Sequence, residues 1–179
     1  MRARITKIIS LLLIVIFLGG FANNKKNVVF VETDSGKKVA LKDFYFGLKK
    51  TTKPGSIVKR ERASDGAFYD QIYGEEYDFY LQNEIQFKPG TAFGATWLVP
   101  RLEKRDQIIL KIQLEITHIP KSKDKKNIIS IINKRITSFI RGPDFFDLTL
   151  ESGDPLGDYK ISIFNKGRLI ASNVFHIRK

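Results

Sequence analysis

The stretch Ile108-Ile109-Leu110-Lys111-Ile112-Gln113-Leu114-Glu115-Ile116-Thr117 decides the fold class. Ile108, Leu110, Ile112, Leu114 and Ile116 occupy every second position, with Lys111, Gln113, Glu115 and Thr117 between them. Successive side chains of a strand point to opposite faces of its sheet, so this period of two specifies a strand with one dry and one wet face. A slip of one residue would carry the whole apolar row into water, which fixes the register.

Outward from this strand the same alternation recurs. In Tyr77–Phe87 the residues Tyr77, Phe79, Leu81, Ile85 and Phe87 fall on one side and Glu76, Asp78, Gln82, Glu84 and Gln86 on the other, which predicts one strand bulged at Asn83. At the C-terminus Tyr159, Ile161 and Ile163 alternate with Lys160 and Ser162. Asn165-Lys166-Gly167 follows, then Leu169, Ala171, Phe175 and Ile177, which predicts a hairpin. Three linking residues that end in glycine suit a type I turn closed by a left-handed residue. Weaker strands are expected around 27–33, 38–48, 56–60, 91–99 and 144–150, separated by Lys53-Pro54-Gly55, Lys88-Pro89-Gly90, Gly142-Pro143 and Gly153–Gly157. Segment 127–141 is ambiguous: Ile128, Ile129, Ile132, Ile136, Phe139 and Ile140 have helical spacing, yet branched isoleucines favour strands. A strand, with Ile136, Ser138 and Ile140 on one face, is the preferred reading and a short helix the alternative.

Short strands joined by turns, with no helices between them, specify an all-β sandwich or barrel. Asp154-Pro155-Leu156-Gly157-Asp158-Tyr159-Lys160-Ile161 sets a tyrosine just after a glycine turn and two residues before an apolar position. That is the arrangement of the tyrosine corner, so the expected fold is an immunoglobulin-like antiparallel β-sandwich of about 7–9 strands. Ile161 stands where an antibody domain has its second cysteine, and the chain has no cysteine at all.

Ile85-Gln86-Phe87-Lys88-Pro89-Gly90-Thr91-Ala92-Phe93-Gly94 and the ending from Pro155 through Gly167-Arg168-Leu169 to Ile177 carry a resemblance. Over 43–177 the chain resembles a domain-of-unknown-function family of exported bacterial immunoglobulin-like proteins. The sequence departs from the family at Ile116-Thr117-His118-Ile119-Pro120, where an isoleucine splits a His-Pro element, and at Tyr159, where the family usually has tryptophan. The resemblance implies a fold and transfers no active site.

The N-terminus sets the expected compartment. Arg2, Arg4 and Lys7 precede an apolar run from Ile8 to Leu18, and Gly20-Phe21-Ala22 precede Asn23. These are the parts of a secretory signal peptide over 1–22 with cleavage after Ala22. The run falls short of the roughly 20 apolar residues a bilayer-spanning helix needs, so no transmembrane segment is expected in the mature chain. A single β-sandwich domain over 23–179, with its core in 27–178, is expected in the periplasm or outside a bacterial cell. The formal charge of +12, from 31 Lys and Arg against 19 Asp and Glu, falls to +9 once the three leader cations are removed. Export argues against nucleic acid as the partner of this basic chain. It leaves an envelope protein or an anionic surface.

No catalytic set emerges. His118 and His176 are the only histidines, too few for a zinc site in a chain without cysteine. There is no Gly-x-Ser-x-Gly elbow and no phosphate-binding glycine loop. Neither a cofactor nor a metal is expected, and a carboxylate-dependent hydrolase is a minor alternative. Two stretches suggest contact surfaces. Residues 64–80 concentrate aromatics and carboxylates, and Phe68, Tyr69 and Tyr73 are the candidate partner-binding residues on a loop reaching to Glu76. Lys121, Lys123, Lys125 and Lys126 are candidate anion-contacting residues for lipid or glycan, in a loop whose preferred reading is a solvated tip. The leading expectation is a non-enzymatic protein-binding or adaptor module, and the alternative is a peripheral binder of anionic lipid or glycan.

Overall fold

Every regular element among the described residues is a strand. The computed structural model describes residues 27–64, 68–118, 128–138 and 142–179. The predicted leader and its cleavage point, and the lysines at 121–126, lie outside these residues. In chain order the strands are β1 (Val29–Glu32), β2 (Lys38–Lys53), β3 (Ser56–Arg62), β4 (Phe68–Tyr73), β5 (Glu76–Tyr80), β6 (Glu84–Gln86), β7 (Ala92–Val99), β8 (Gln107–His118), β9 (Ile128–Thr137), β10 (Gly142–Thr149), β11 (Gly157–Asn165) and β12 (Arg168–Arg178). One sheet runs β1–β2–β7–β10, with β5 also paired to β2, and the second runs β6–β12–β11–β8–β9. Strands β3 and β4 form a separate ribbon. Among the described residues, only the pairing of β6 with β12 is parallel.

The apolar rows read from the sequence close the sandwich. Ile108, Leu110, Ile112, Leu114 and Ile116 of β8 are buried, as are Tyr159, Ile161 and Ile163 of β11. In register, Ile116 stands beside Tyr159, Leu114 beside Ile161 and Ile112 beside Ile163. From the facing sheet, Phe93 meets Phe175 at 4.8 Å between ring centroids, and Phe44 stacks on Trp97 at 5.4 Å. Each fully buried side chain of this size contributes roughly 1.5–3 kcal/mol of transfer free energy. The expected tyrosine corner is present, with the Tyr159 hydroxyl donating to the Pro155 carbonyl at 2.7 Å.

Several expectations are corrected. Tyr77–Phe87 is two strands in different sheets: β5 pairs with β2, whereas β6 lies parallel to β12. The chain crosses between sheets at 81–83, where Leu81 is exposed, and the Asn83 carbonyl accepts from the His176 amide at 2.8 Å. The alternation hid this crossing because the half-buried Tyr77 and Phe79 share the parity of the core residues Ile85 and Phe87, although the first two stand on the outer face of their sheet with Lys49. The C-terminal turn is Lys166-Gly167 alone, since Asn165 already pairs with Arg168. Both turn residues have positive φ (46° and 78°), the mark of a two-residue type I′ turn whose twist matches the strands it joins.

The ambiguous segment is a strand, ending at Thr137, with Ser130, Ile132 and Ile136 buried; Ser138 lies in a turn and Ile140 outside the described residues. Its period was obscured by Lys134, which takes the next place in that row and reaches Asp144 of β10 at 3.0 Å. Strands β9 and β10 are both sheet edges, and a charge turned inward on an edge strand opposes pairing with another chain. The strand number among the described residues, twelve against about 7–9 expected, rises partly through the β5/β6 split and the fold of 56–73 into its own ribbon.

Candidate functional site

The turn Lys53-Pro54-Gly55 carries the chain out of β2 into the ribbon, and Gly74, at φ 75°, brings it back to β5. Within the ribbon Ser56 pairs with Tyr73, Ile57 with Ile72, Arg60 with Asp70 and Arg62 with Phe68, and Val58 is the extra residue of a bulge. The Arg60–Asp70 pair is bidentate, with Nε donating at 2.7 Å and a terminal nitrogen at 2.9 Å. This bonding holds the Asp70 carboxyl below its ordinary value. Lys59 and Glu61 form a second ion pair. Ribbon and sandwich differ in what they do with isoleucine and valine. The two sheets turn most such residues inward, with Ile109 of β8 exposed on an outer face, whereas in the ribbon Ile57 is 58% exposed, Val58 64% and Ile72 39%.

Both ends of the ribbon are tied down. Beyond β3, the Ser64 amide donates to the Ile131 carbonyl of β9 at 3.1 Å, and the Ile131 amide donates to Ser64 Oγ at 2.8 Å. At the root, Glu75 accepts from Lys49 Nζ at 2.7 Å and from the Thr51 hydroxyl. Lys49 Nζ also donates to Asp147 of β10 at 3.1 Å and lies 3.6 Å from the centroid of the Phe145 ring. Strand β2 puts Lys49 on the outer face of its sheet, in line with Ala92 of β7 and Phe79 of β5. The side chains of Lys49 and Glu75 are nevertheless only 2% and 5% exposed.

A buried ammonium must be paired to persist, and here two carboxylates and an aromatic face engage it. Burial pushes the Asp147 carboxyl above its ordinary value, while Lys49 pulls the other way. Burial likewise raises the Tyr77 hydroxyl, which shares a 2.8 Å hydrogen bond with Thr96. Chemically this cluster is a clamp. Its carboxylates are engaged by Lys49, with the Glu75 side chain 5% and the Asp147 side chain 16% exposed.

The candidate residues Phe68, Tyr69 and Tyr73 fall on β4, not on a loop, because the stretch around them pairs residue by residue with β3. Their side chains lie outside the described residues. His176 bonds Asp158 through Nδ1 at 2.9 Å on the outer face of the second sheet, beside Arg178. The side chain of His118 lies outside the described residues. Among the described residues no group of three or more His, Asp or Glu is arranged to hold a metal ion. No helix there is long and apolar enough to cross a membrane. A shallow polar depression of about 460 Å³ lies elsewhere, between Asp34-Ser35 and Glu103–Asp106.

Sequence reasoning missed Ile57, Val58 and Ile72 as surface residues, and missed Lys49 and Glu75 altogether. For Ile57 and Val58 a signal was present: they are adjacent, and neighbouring residues of a regular strand point to opposite faces, so both could not be expected to bury against one layer. Nothing local marks Lys49.

A solved structure similar to this chain is that of an immunoglobulin-like protein from Pseudomonas aeruginosa, with 14% identity and a TM-score of 0.47 over 75% of this chain and 91% of that one. No protein-family model matches the chain. Nor is any curated protein significantly similar to it. The all-β, two-sheet, immunoglobulin-like sandwich without cysteine stands on the geometry above: facing sheets, antiparallel ladders and a hydrogen-bonded tyrosine corner.

Proposed function

We propose that this chain is a non-enzymatic protein-binding module of the bacterial envelope and that the β3–β4 ribbon is its recognition element. The observation that carries the reading is the exposure of Ile57, Val58 and Ile72 on a ribbon belonging to neither sheet. Apolar residues left in water on a separate element gain by docking against another surface, and isolated two-stranded ribbons are seldom stable without support. The ties at Glu75 and Ser64 supply that support and preorganise the ribbon, which lowers the entropic cost of binding. Phe68, Tyr69 and Tyr73 share β4 and provide aromatic character suited to an interface. The leader-like N-terminus supports export to the envelope.

A photo-crosslinking residue placed at 57 or 72 in cells of the native host tests this. A discrete protein adduct from those positions, absent when the crosslinker sits at exposed Lys160 on the second sheet and lost on Tyr69→Ala/Tyr73→Ala, supports the reading. No adduct, or the same adduct from all three positions, rejects it.

A further inference from the structure

The outer face of the second sheet holds, at its hairpin end, a surface that the ribbon reading does not use. Phe164 of β11 stands between Leu169 of β12 and Lys111 of β8 in one cross-strand row. In the next row Ile109 of β8 stands beside Arg135 of β9. Neighbours in such a row lie about 4.5–5.5 Å apart, so these residues form one continuous surface. Leu169 is 52% exposed and Ile109 42%, Phe164 is half-buried, and Lys111 and Arg135 are exposed. No carboxylate shares the two rows. Lys166, in the turn that closes the hairpin, adds a third cation, although Glu32 lies 3.8 Å from it. Farther down the same face the pattern changes to a mixed one, with Lys160 paired in register to Glu115 and Asp158 to Thr117.

Exposed aliphatic side chains flanked by cations, without intervening acids, match the interface of an anionic bilayer. The cations meet headgroup phosphates, and the aliphatic groups enter the region just beneath them. A soluble anionic glycan would satisfy the cations alone and leave Leu169 and Ile109 in water. We infer that this end of the second sheet is a peripheral docking surface for anionic phospholipid, with the Lys166-Gly167 hairpin tip leading. The formal charge of +9 that remains without the three leader cations favours the approach.

The chain has no cysteine, so a single introduced thiol can be labelled uniquely with an environment-sensitive fluorophore. Full-length protein labelled at Leu169→Cys or, on the other sheet, at Lys50→Cys is mixed with phosphatidylglycerol or phosphatidylcholine vesicles. The inference expects a blue shift from position 169 alone, on phosphatidylglycerol alone, and suppressed on raising salt from about 0.1 to 0.5 M. Lys111→Glu/Arg135→Glu, with its circular dichroism unchanged, should weaken vesicle binding at least about tenfold. Equal shifts from both positions, as insertion of the apolar segment Ile8–Leu18 would give, overturn the inference. So do equal shifts on both lipids, a silent position 169, a shift with soluble polyuronate instead of vesicles, or undiminished binding by the double variant.

Discussion

The side-chain amide of Asn165 pairs with the backbone of Glu32 as a neighbouring strand would. Its Oδ1 accepts from the Glu32 amide at 2.7 Å, and its Nδ2 donates to the Glu32 carbonyl at 3.0 Å. Nδ2 also reaches the Ile109 carbonyl at 3.2 Å. Asn165 ends β11 in one sheet, whereas Glu32 belongs to β1 at the edge of the other, so this buried amide closes the sandwich along one side and satisfies an edge that would otherwise be open.

Removing that amide should loosen the edge first. Asn165→Ala strands a backbone donor and acceptor away from water, a loss of about 1–3 kcal/mol. Asn165→Asp should cost more, since a carboxylate there faces two carbonyls that formerly accepted hydrogen bonds. Denaturant melts give the stability, and amide exchange at Glu32 should quicken before exchange in β8. Equal stability of all three proteins would show that water replaces the side chain at no cost.

Two aspartates should respond to pH in opposite directions. Asp147 has its carboxyl raised by burial, so its contribution to stability is complete below the ordinary aspartate value of 3.8 and declines as pH rises through the raised folded value. Asp158 is lowered, chiefly by its hydrogen bond to His176 and then by Arg178. Its contribution is present above 3.8 and is lost as pH falls through the lowered folded value. Stability profiles of Asp147→Asn and Asp158→Asn against the parent should therefore diverge with opposite slopes on the acid side of neutrality. Lys49→Met removes the cation that restrains Asp147 and should steepen its slope, with a loss at neutral pH of about 3–5 kcal/mol for a broken buried pair. Parallel profiles would contradict the burial assigned to Asp147.

Gly94 should tolerate no side chain. It stands opposite Gly47 in the β2–β7 ladder and Asp147 in the β7–β10 ladder. A Cβ built on Gly94 would lie 2.0 Å from the Phe146 carbonyl oxygen, a backbone atom that cannot swing aside. Gly94→Ala must push β10 away, which carries Asp147 away from Lys49. A loss above the roughly 1–3 kcal/mol typical of overpacking is expected, with faster amide exchange in β10. Gly36→Ala serves as the comparison: that glycine has open space around it and only its left-handed φ to strain. A Gly94→Ala protein as stable as Gly36→Ala would refute the steric account.

Residues 108–117 alone establish a half-buried strand, and the repeats of their alternation establish an all-β chain, because a strand's two faces are written locally at every second residue. The tyrosine corner was legible for the same reason: Tyr159 and Pro155 are four residues apart. What periodicity could not show is which sheet a strand joins. Tyr77–Phe87 reads as one row, yet it serves two sheets, since the parity of the apolar positions is unchanged across the crossing.

The clamp and the sealed edge were likewise invisible in the sequence. Lys49 meets Glu75 and Asp147 across separations of 26 and 98 residues, and Asn165 meets Glu32 across 133. A lone lysine in a strand reads as solvent-facing, and Lys134 even disguised the strand that holds it. The order of strands in the sheets decides whether such a group finds a partner or pays for desolvation. The sequence by itself determined the alternation and therefore the class of fold. Only the tertiary structure decided which polar residues are buried in pairs and which apolar ones, Ile57, Val58 and Ile72 among them, remain in water.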